Sequence, residues 1–157
     1  MAITANSVQE RALPANLVLV AIPIAFAVLG LAVRYLAYAN TVDDASLASF
    51  VDGLCRWDCH WYVRLAEEGY DPFPVPTMIN AGNWAFFPLY PMLIAGLRTA
   101  TGLPTMLVAT ATSLLLSVAA VRVAWPLMGK RMPAYILFSA FVLAGPFAVY
   151  FTTFVLQ

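Results

Sequence analysis

The sequence predicts an all-α, polytopic membrane protein with three transmembrane helices, a short re-entrant or fourth helix, and an interfacial helix in a long first external loop. Three observations predict it. The 157-residue chain is 62% hydrophobic and 10% charged, with a mean hydropathy of +0.82. An average soluble domain has about 45–50% apolar and about 25% charged residues, and a soluble fold of this size lacks the interior to hide so much apolar surface. The apolar residues also gather into uncharged runs of bilayer length, and the few charges are segregated along the chain. Low charge and high hydropathy exclude a disordered chain. Eight Lys/Arg against eight Asp/Glu leave no basic excess, so no nucleic-acid partner is expected.

The first span is expected over 17–39. Leu17 to Val33 is 17 residues without a charge, and a bilayer core of about 30 Å needs roughly 20 helical residues. The span reaches that length if Arg34, flanked by Tyr35 and Tyr38, anchors it at a membrane face. Pro23 lies inside it, where a kink is tolerable. Ala37-Tyr38-Ala39 also has the small-residue form of a signal-peptidase site, a competing reading of the same segment. The second span is expected over 103–121 and the third over 134–156, entered after Lys130, Arg131 and Pro133. The apolar stretch 84–97 carries Pro88 and Pro91 and is closed by Arg98. It is short for a crossing, so a half-inserted helix is preferred to a fourth span.

The loop over 40–91 holds Asp43, Asp44, Asp52, Asp58, Glu67, Glu68 and Asp71, seven of the eight acids. Basic residues gather at Arg122, Lys130 and Arg131, with Arg11 before the first span. The positive-inside rule then puts the N-terminus and the 122–133 loop in the cytosol and the acidic loop outside. The expected location is an integral membrane one: plasma membrane in a bacterium, endoplasmic reticulum in a eukaryote.

Within the loop, Leu47, Phe50, Val51, Leu54, Trp57, Trp61, Tyr62 and Leu65 recur at helical spacing. This predicts one amphipathic helix over 45–69, lying along the interface and closed by Gly69. Cys55 and Cys59 would share a face of that helix, where a disulfide is poorly aimed. With Asp58 and His60 they match no standard zinc spacing, so no metal and no cofactor is expected. Asp58 sits between Trp57 and Trp61. A carboxylate held there, away from bulk water, suits a general base; the competing reading is a solvated residue paired with Arg56 or Arg64. Arg56 and Arg64 suit a lipid-linked phosphate, which a guanidinium grips bidentately. They equally suit local pairs, Arg64 with Glu68 and Arg56 with Asp52. His60, the only histidine, reads as an interfacial hydrogen-bonding residue.

Two blocks in this loop carry a resemblance. Arg56-Trp57-Asp58-Cys59-His60-Trp61-Tyr62, with Leu65-Ala66 and Gly69-Tyr70 after it, and then Ala85-Phe86-Phe87-Pro88-Leu89-Tyr90-Pro91, resemble the second mannosyltransferase family of GPI-anchor synthesis and its bacterial relatives. The resemblance runs from about Leu17 to Tyr150. It implies a polytopic glycosyltransferase fold of the C type and a sugar donor carried on a polyprenyl phosphate. It implies Asp58 as the catalytic base and a substrate-binding surface of Arg56, Trp57, Trp61, Tyr62, Arg64, Tyr70, Phe86, Phe87 and Pro88. Members of that family continue with further spans. Where they carry a Tyr-Ser/Thr-Glu segment this sequence reads Val155-Leu156-Gln157. The chain is therefore expected to be the N-terminal portion of such a fold.

The expected function is transfer of a sugar, mannose by the resemblance, from a polyprenyl-phosphate donor to an acceptor hydroxyl on the non-cytosolic side. Membrane lipid and a downstream-encoded membrane subunit are the expected partners. The alternative is a non-catalytic scaffold or subunit of a multi-span complex.

Overall fold

The computed structural model describes residues 15–55, 58–73 and 82–145. Among them there are six α-helices and two short 3-10 turns, with no strand. The order is α1 (Ala15–Ala39), α2 (Leu47–Gly53), α3 (Cys59–Glu68), α4 (Leu89–Thr101), α5 (Thr105–Val123) and α6 (Met132–Ala144). Two of them, α1 with 25 residues and α5 with 19, are long and apolar enough to cross a membrane. Only 22% of the apolar window of α1 and 39% of that of α5 is buried, unlike the core helices of a soluble protein. Val28, Val33 and Leu36 of α1 and Leu115 and Leu116 of α5 are at least half exposed. α6 is a shorter apolar helix of 13 residues; the rest of the third span expected over 134–156 lies outside the described residues.

α1, α5 and α6 pack together. α6 runs parallel to α1: Tyr135 meets Leu19 near the start of each helix, and Leu143 meets Gly30 further along. Leu19, Ala27, Val121, Tyr135 and Leu143 form the buried cluster between the three. Proline drives one of these contacts. Pro23 has no N–H, so the carbonyl of Leu19 four residues earlier loses its helical donor. The Tyr135 hydroxyl supplies the replacement, donating to that carbonyl at 2.6 Å in a buried position. Gly30 drives another. A Cβ there would lie 2.2 Å from the Leu143 carbonyl oxygen, so only glycine permits this approach of α6.

The expected interfacial helix over 45–69 is corrected: the structure breaks it in two. Ser46 caps α2, its hydroxyl accepting from the Ser49 N–H at 3.2 Å. α2 ends at Gly53, and Tyr38 stands against that glycine, where a Cβ would meet its ring at 2.8 Å. The break also corrects the expectation for the cysteines. With α2 finished and α3 beginning at Cys59, the pair no longer sits on one continuous helix; the Cα atoms are 5.3 Å apart and a disulfide joins them, inside the usual range of about 4.4–6.8 Å.

The stretch 84–97 is also corrected. Asn83–Ala85 form a 3-10 turn, Phe86 is extended, and α4 starts only at Leu89 and runs to Thr101. Pro88 stands at its N-cap and Pro91 in its first turn, where N–H groups have no intrahelical partner, so neither proline kinks it. At 13 residues α4 rises about 20 Å, short of the bilayer core. Gly102, at φ 68°, closes it in the left-handed conformation.

Arg34 turns into the α1–α6 contact. Its Nη2 lies 3.4 Å from the Leu143 carbonyl near the C-terminal end of α6, where a cation is favoured. Its Nη1 is buried with no hydrogen-bond partner among the described residues. The tyrosines beside it clasp α2: Tyr35 donates to the Ala45 carbonyl at 2.9 Å and Tyr38 to the Ser49 carbonyl at 3.0 Å, with Phe50 edge-on to both rings.

Candidate functional site

The second buried cluster, Cys59, Ala66, Ile94, Val108 and Ala109, joins α3 and α4 to the N-terminal half of α5. The candidate residues are arranged around it. Asp58 is the N-cap of α3. Its backbone carbonyl accepts from the Trp61 and Tyr62 N–H groups at 3.0 and 3.3 Å, while its side chain makes no capping hydrogen bond. The carboxylate is half-buried and is not spent on the helix. It lies close enough to Tyr62 to act on it: the Tyr62 phenol is pushed above its ordinary pKa, first by desolvation and then by the negative charge of Asp58.

From there an aromatic chain links the two motif blocks. Trp61 stacks on Phe86 with centroids 5.9 Å apart and planes at 22°. Phe86 also meets Tyr62 edge-on at 5.0 Å, and Tyr62 meets Tyr90 at 5.8 Å. The Tyr90 hydroxyl reaches α5, donating to the Ala109 carbonyl at 3.2 Å and sharing a short hydrogen bond with Ser113. Such pairs contribute roughly 0.5–1.5 kcal/mol each beyond area burial. Phe87 and Pro88 point the other way. Phe87 is 84% and Leu89 80% exposed, an apolar face at the same end of the bundle. His60 is exposed, its Nδ1 3.7 Å from Cys55 Sγ. Arg56 and Trp57 lie outside the described residues.

Two expected substrate-binding residues also make contacts within the protein. Arg64 pairs with Glu68, Nε to Oε2 at 3.1 Å, and with Asp71, Nη2 to Oδ1 at 2.6 Å. The local pair one turn away forms, and a second carboxylate shares the guanidinium. Tyr70 donates its hydroxyl to the Phe86 carbonyl at 2.6 Å, tying the end of α3 to the second block.

Asp71 and Asn83 are the residues sequence reasoning missed as organisers. Both are buried, Asn83 completely. The Asp71 N–H donates to Asn83 Oδ1 at 2.9 Å, the Asn83 N–H to Asp71 Oδ2 at 3.2 Å, and Asn83 Nδ2 to the Gly69 carbonyl at 2.9 Å. The Trp84 indole donates to the Asp71 carbonyl. This reciprocal pairing brings the two blocks together. No periodicity in the sequence signals it, because the pair joins positions twelve residues apart outside any α-helix.

Among the described residues no group of three or more His, Cys, Asp or Glu side chains comes together as a metal site, and both cysteine sulfurs are committed to the disulfide. The arrangement offers a half-buried carboxylate, an aromatic wall and an exposed apolar edge at one end of two membrane-length helices. No family model, curated protein or solved structure matches the chain.

Proposed function

We propose that the chain is a membrane glycosyltransferase, or the N-terminal portion of one, that moves a sugar, mannose by its motif resemblance, from a polyprenyl-phosphate carrier to an acceptor hydroxyl on the non-cytosolic side. One observation carries the reading. The two sequence blocks that resemble the GPI mannosyltransferase II family meet in space through the Trp61–Phe86–Tyr62–Tyr90 chain, with the carboxylate of Asp58, which makes no capping hydrogen bond to α3, beside it. In this reading the acceptor oxygen attacks the anomeric carbon while Asp58 takes its proton. The bond from that carbon to the phosphate oxygen breaks, and the polyprenyl phosphate leaves with the electron pair. Desolvation and positioning favour the step, and the exposed Phe87, Pro88 and Leu89 suit the hydrocarbon of the carrier.

A scaffold without catalysis is the second reading, favoured by a specific observation: Arg64 and Tyr70 are engaged in bracing the loop. Transfer from labelled polyprenyl-phosphate mannose, by membranes containing the full chain with any membrane subunit encoded downstream, separates the two. Asp58→Asn should cut transfer about 10²–10⁴-fold, the range for a lost general base. Transfer unchanged in that variant removes Asp58 as the base, and no transfer by the unaltered chain with its subunit leaves the scaffold.

A further inference from the structure

A polar groove of about 550 Å³ lies between the end of α3, the end of α4 and the start of α5, with Glu67, Arg98 and Thr105 on its walls. Beside it is an apolar groove of about 320 Å³ between α2 and α5, lined by Leu47, Met106 and Leu107 and with Asp52 as its one charged residue. Pro104 lines both, so the two adjoin there. Each has the volume of a small-molecule site.

The charges in the polar groove do not neutralise each other. Glu67 accepts from the Thr105 hydroxyl on Oε1, and among the described residues nothing bonds its second oxygen. Arg98 is exposed and forms no ion pair with a described carboxylate. Opposite charges on the wall of one groove, without an ion pair between them, select a ligand carrying both signs a short distance apart. An apolar groove continuing from that wall, at the end of a helix long enough to cross a membrane, selects an amphiphile. We propose that the adjoining grooves bind a phospholipid whose headgroup carries a phosphate and a protonated primary amine. The phosphate lies on Arg98, the ammonium donates to Glu67, and one chain starts against Leu47 and Leu107. The site is separate from Asp58 and does not depend on the glycosyl-transfer reading.

The test reconstitutes the full chain into vesicles of equal parts phosphatidylethanolamine, phosphatidylcholine and phosphatidylglycerol, extracts it in mild detergent and counts retained lipid by mass spectrometry. Phosphatidylethanolamine should be enriched roughly two- to fivefold over the other two, the range for exposed charge contacts. The choline headgroup has the same net charge but no N–H to donate, and the glycerol headgroup has no cation for Glu67. Glu67→Gln keeps an acceptor for Thr105 and should bring ethanolamine and choline lipids to parity. Arg98→Gln should lower retention of all three. Equal retention of the three lipids by the unaltered chain, preference for the glycerol lipid, or an enrichment that survives both substitutions overturns the proposal.

Discussion

Replacing Tyr135 with phenylalanine removes one hydroxyl and leaves its ring against Trp125, 5.1 Å away and nearly perpendicular. The hydroxyl's partner is the Leu19 carbonyl, which Pro23 leaves without a helical donor. Without it, that carbonyl is buried between α1 and α6 with nothing to accept from. An unmade buried hydrogen bond costs about 1–3 kcal/mol, and interhelical bonds inside membranes average about 0.6 and reach about 1.7 kcal/mol. The expected destabilisation is therefore about 1–1.5 kcal/mol. The decisive variant is Pro23→Ala, which gives position 23 an N–H aimed at the same carbonyl. In that background Tyr135→Phe should cost little, because the helix now satisfies Leu19 itself. The loss of the buried proline ring affects both arms of the cycle equally and cancels. Unfolding of the full chain in mixed micelles, followed by far-ultraviolet circular dichroism, gives the four free energies. A coupling of about 1 kcal/mol between the two substitutions is expected. Additivity within about 0.3 kcal/mol, the scatter of independent sites, would refute the pairing of proline and tyrosine.

Arg64→Gln leaves Asp71, 7% exposed, without its guanidinium. Breaking a buried pair costs about 3–5 kcal/mol, and the partial exposure of Arg64 lowers the expectation to about 2; amide exchange over 69–73 and 82–86 should accelerate, while that of α1 should not. Tyr62 titrates late because of burial and the Asp58 charge, so Asp58→Asn should move its ultraviolet titration to lower pH. The sign for stability follows: a phenol whose folded pKa is raised stabilises the fold below its ordinary value near 10, and that contribution is lost as pH rises through the folded value. Asp58→Asn should shrink this alkaline loss; an unmoved Tyr62 titration would separate the two side chains. Gly30→Leu drives a side chain into the Leu143 carbonyl, and a cysteine pair that cross-links α1 to α6 in the unaltered background should cross-link at least several-fold less after it.

The two membrane-length helices were legible because their signal is composition over length. The first and second fall within two residues of α1 and α5 at each end, with Pro104 fixing where α5 begins. The loop was legible in pattern but not in continuity. The apolar spacing from Leu47 to Leu65 is that of one helix, yet Gly53 meets Tyr38 and a disulfide spans 55–59. Both causes are contacts that periodicity does not encode. Pro88 and Pro91 misled in a related way. Read as interrupting an apolar run, they mark its helical start, since proline tolerates a first turn and breaks an interior. For the site, the sequence named Asp58, Trp61, Tyr62 and Phe86, which do come together. It left Arg64 open between phosphate and local pairing, and did not show its contact with Asp71, whose burial depends on Asn83 twelve residues on.

The two buried clusters share α5, and the contacts along it explain why the candidate site sits where it does. In lipid, helices gain no hydrophobic drive from touching each other, so close approach and polar contacts determine which faces meet. At one end of α5, Val121 packs with Leu19 and Tyr135. At the other, the polar side chains of α5 are buried: Thr105 holds Glu67 of α3, and Ser113 holds Tyr90 of α4. Those two bonds fix α3 and α4 on the same length of α5, and with them the aromatic chain that bridges the motif blocks. Asp58, one residue before α3, inherits its position from that arrangement. The hydroxyls of an apolar helix, which composition alone would pass over as minor interruptions of a span, thus set the geometry of a carboxylate far earlier in the chain.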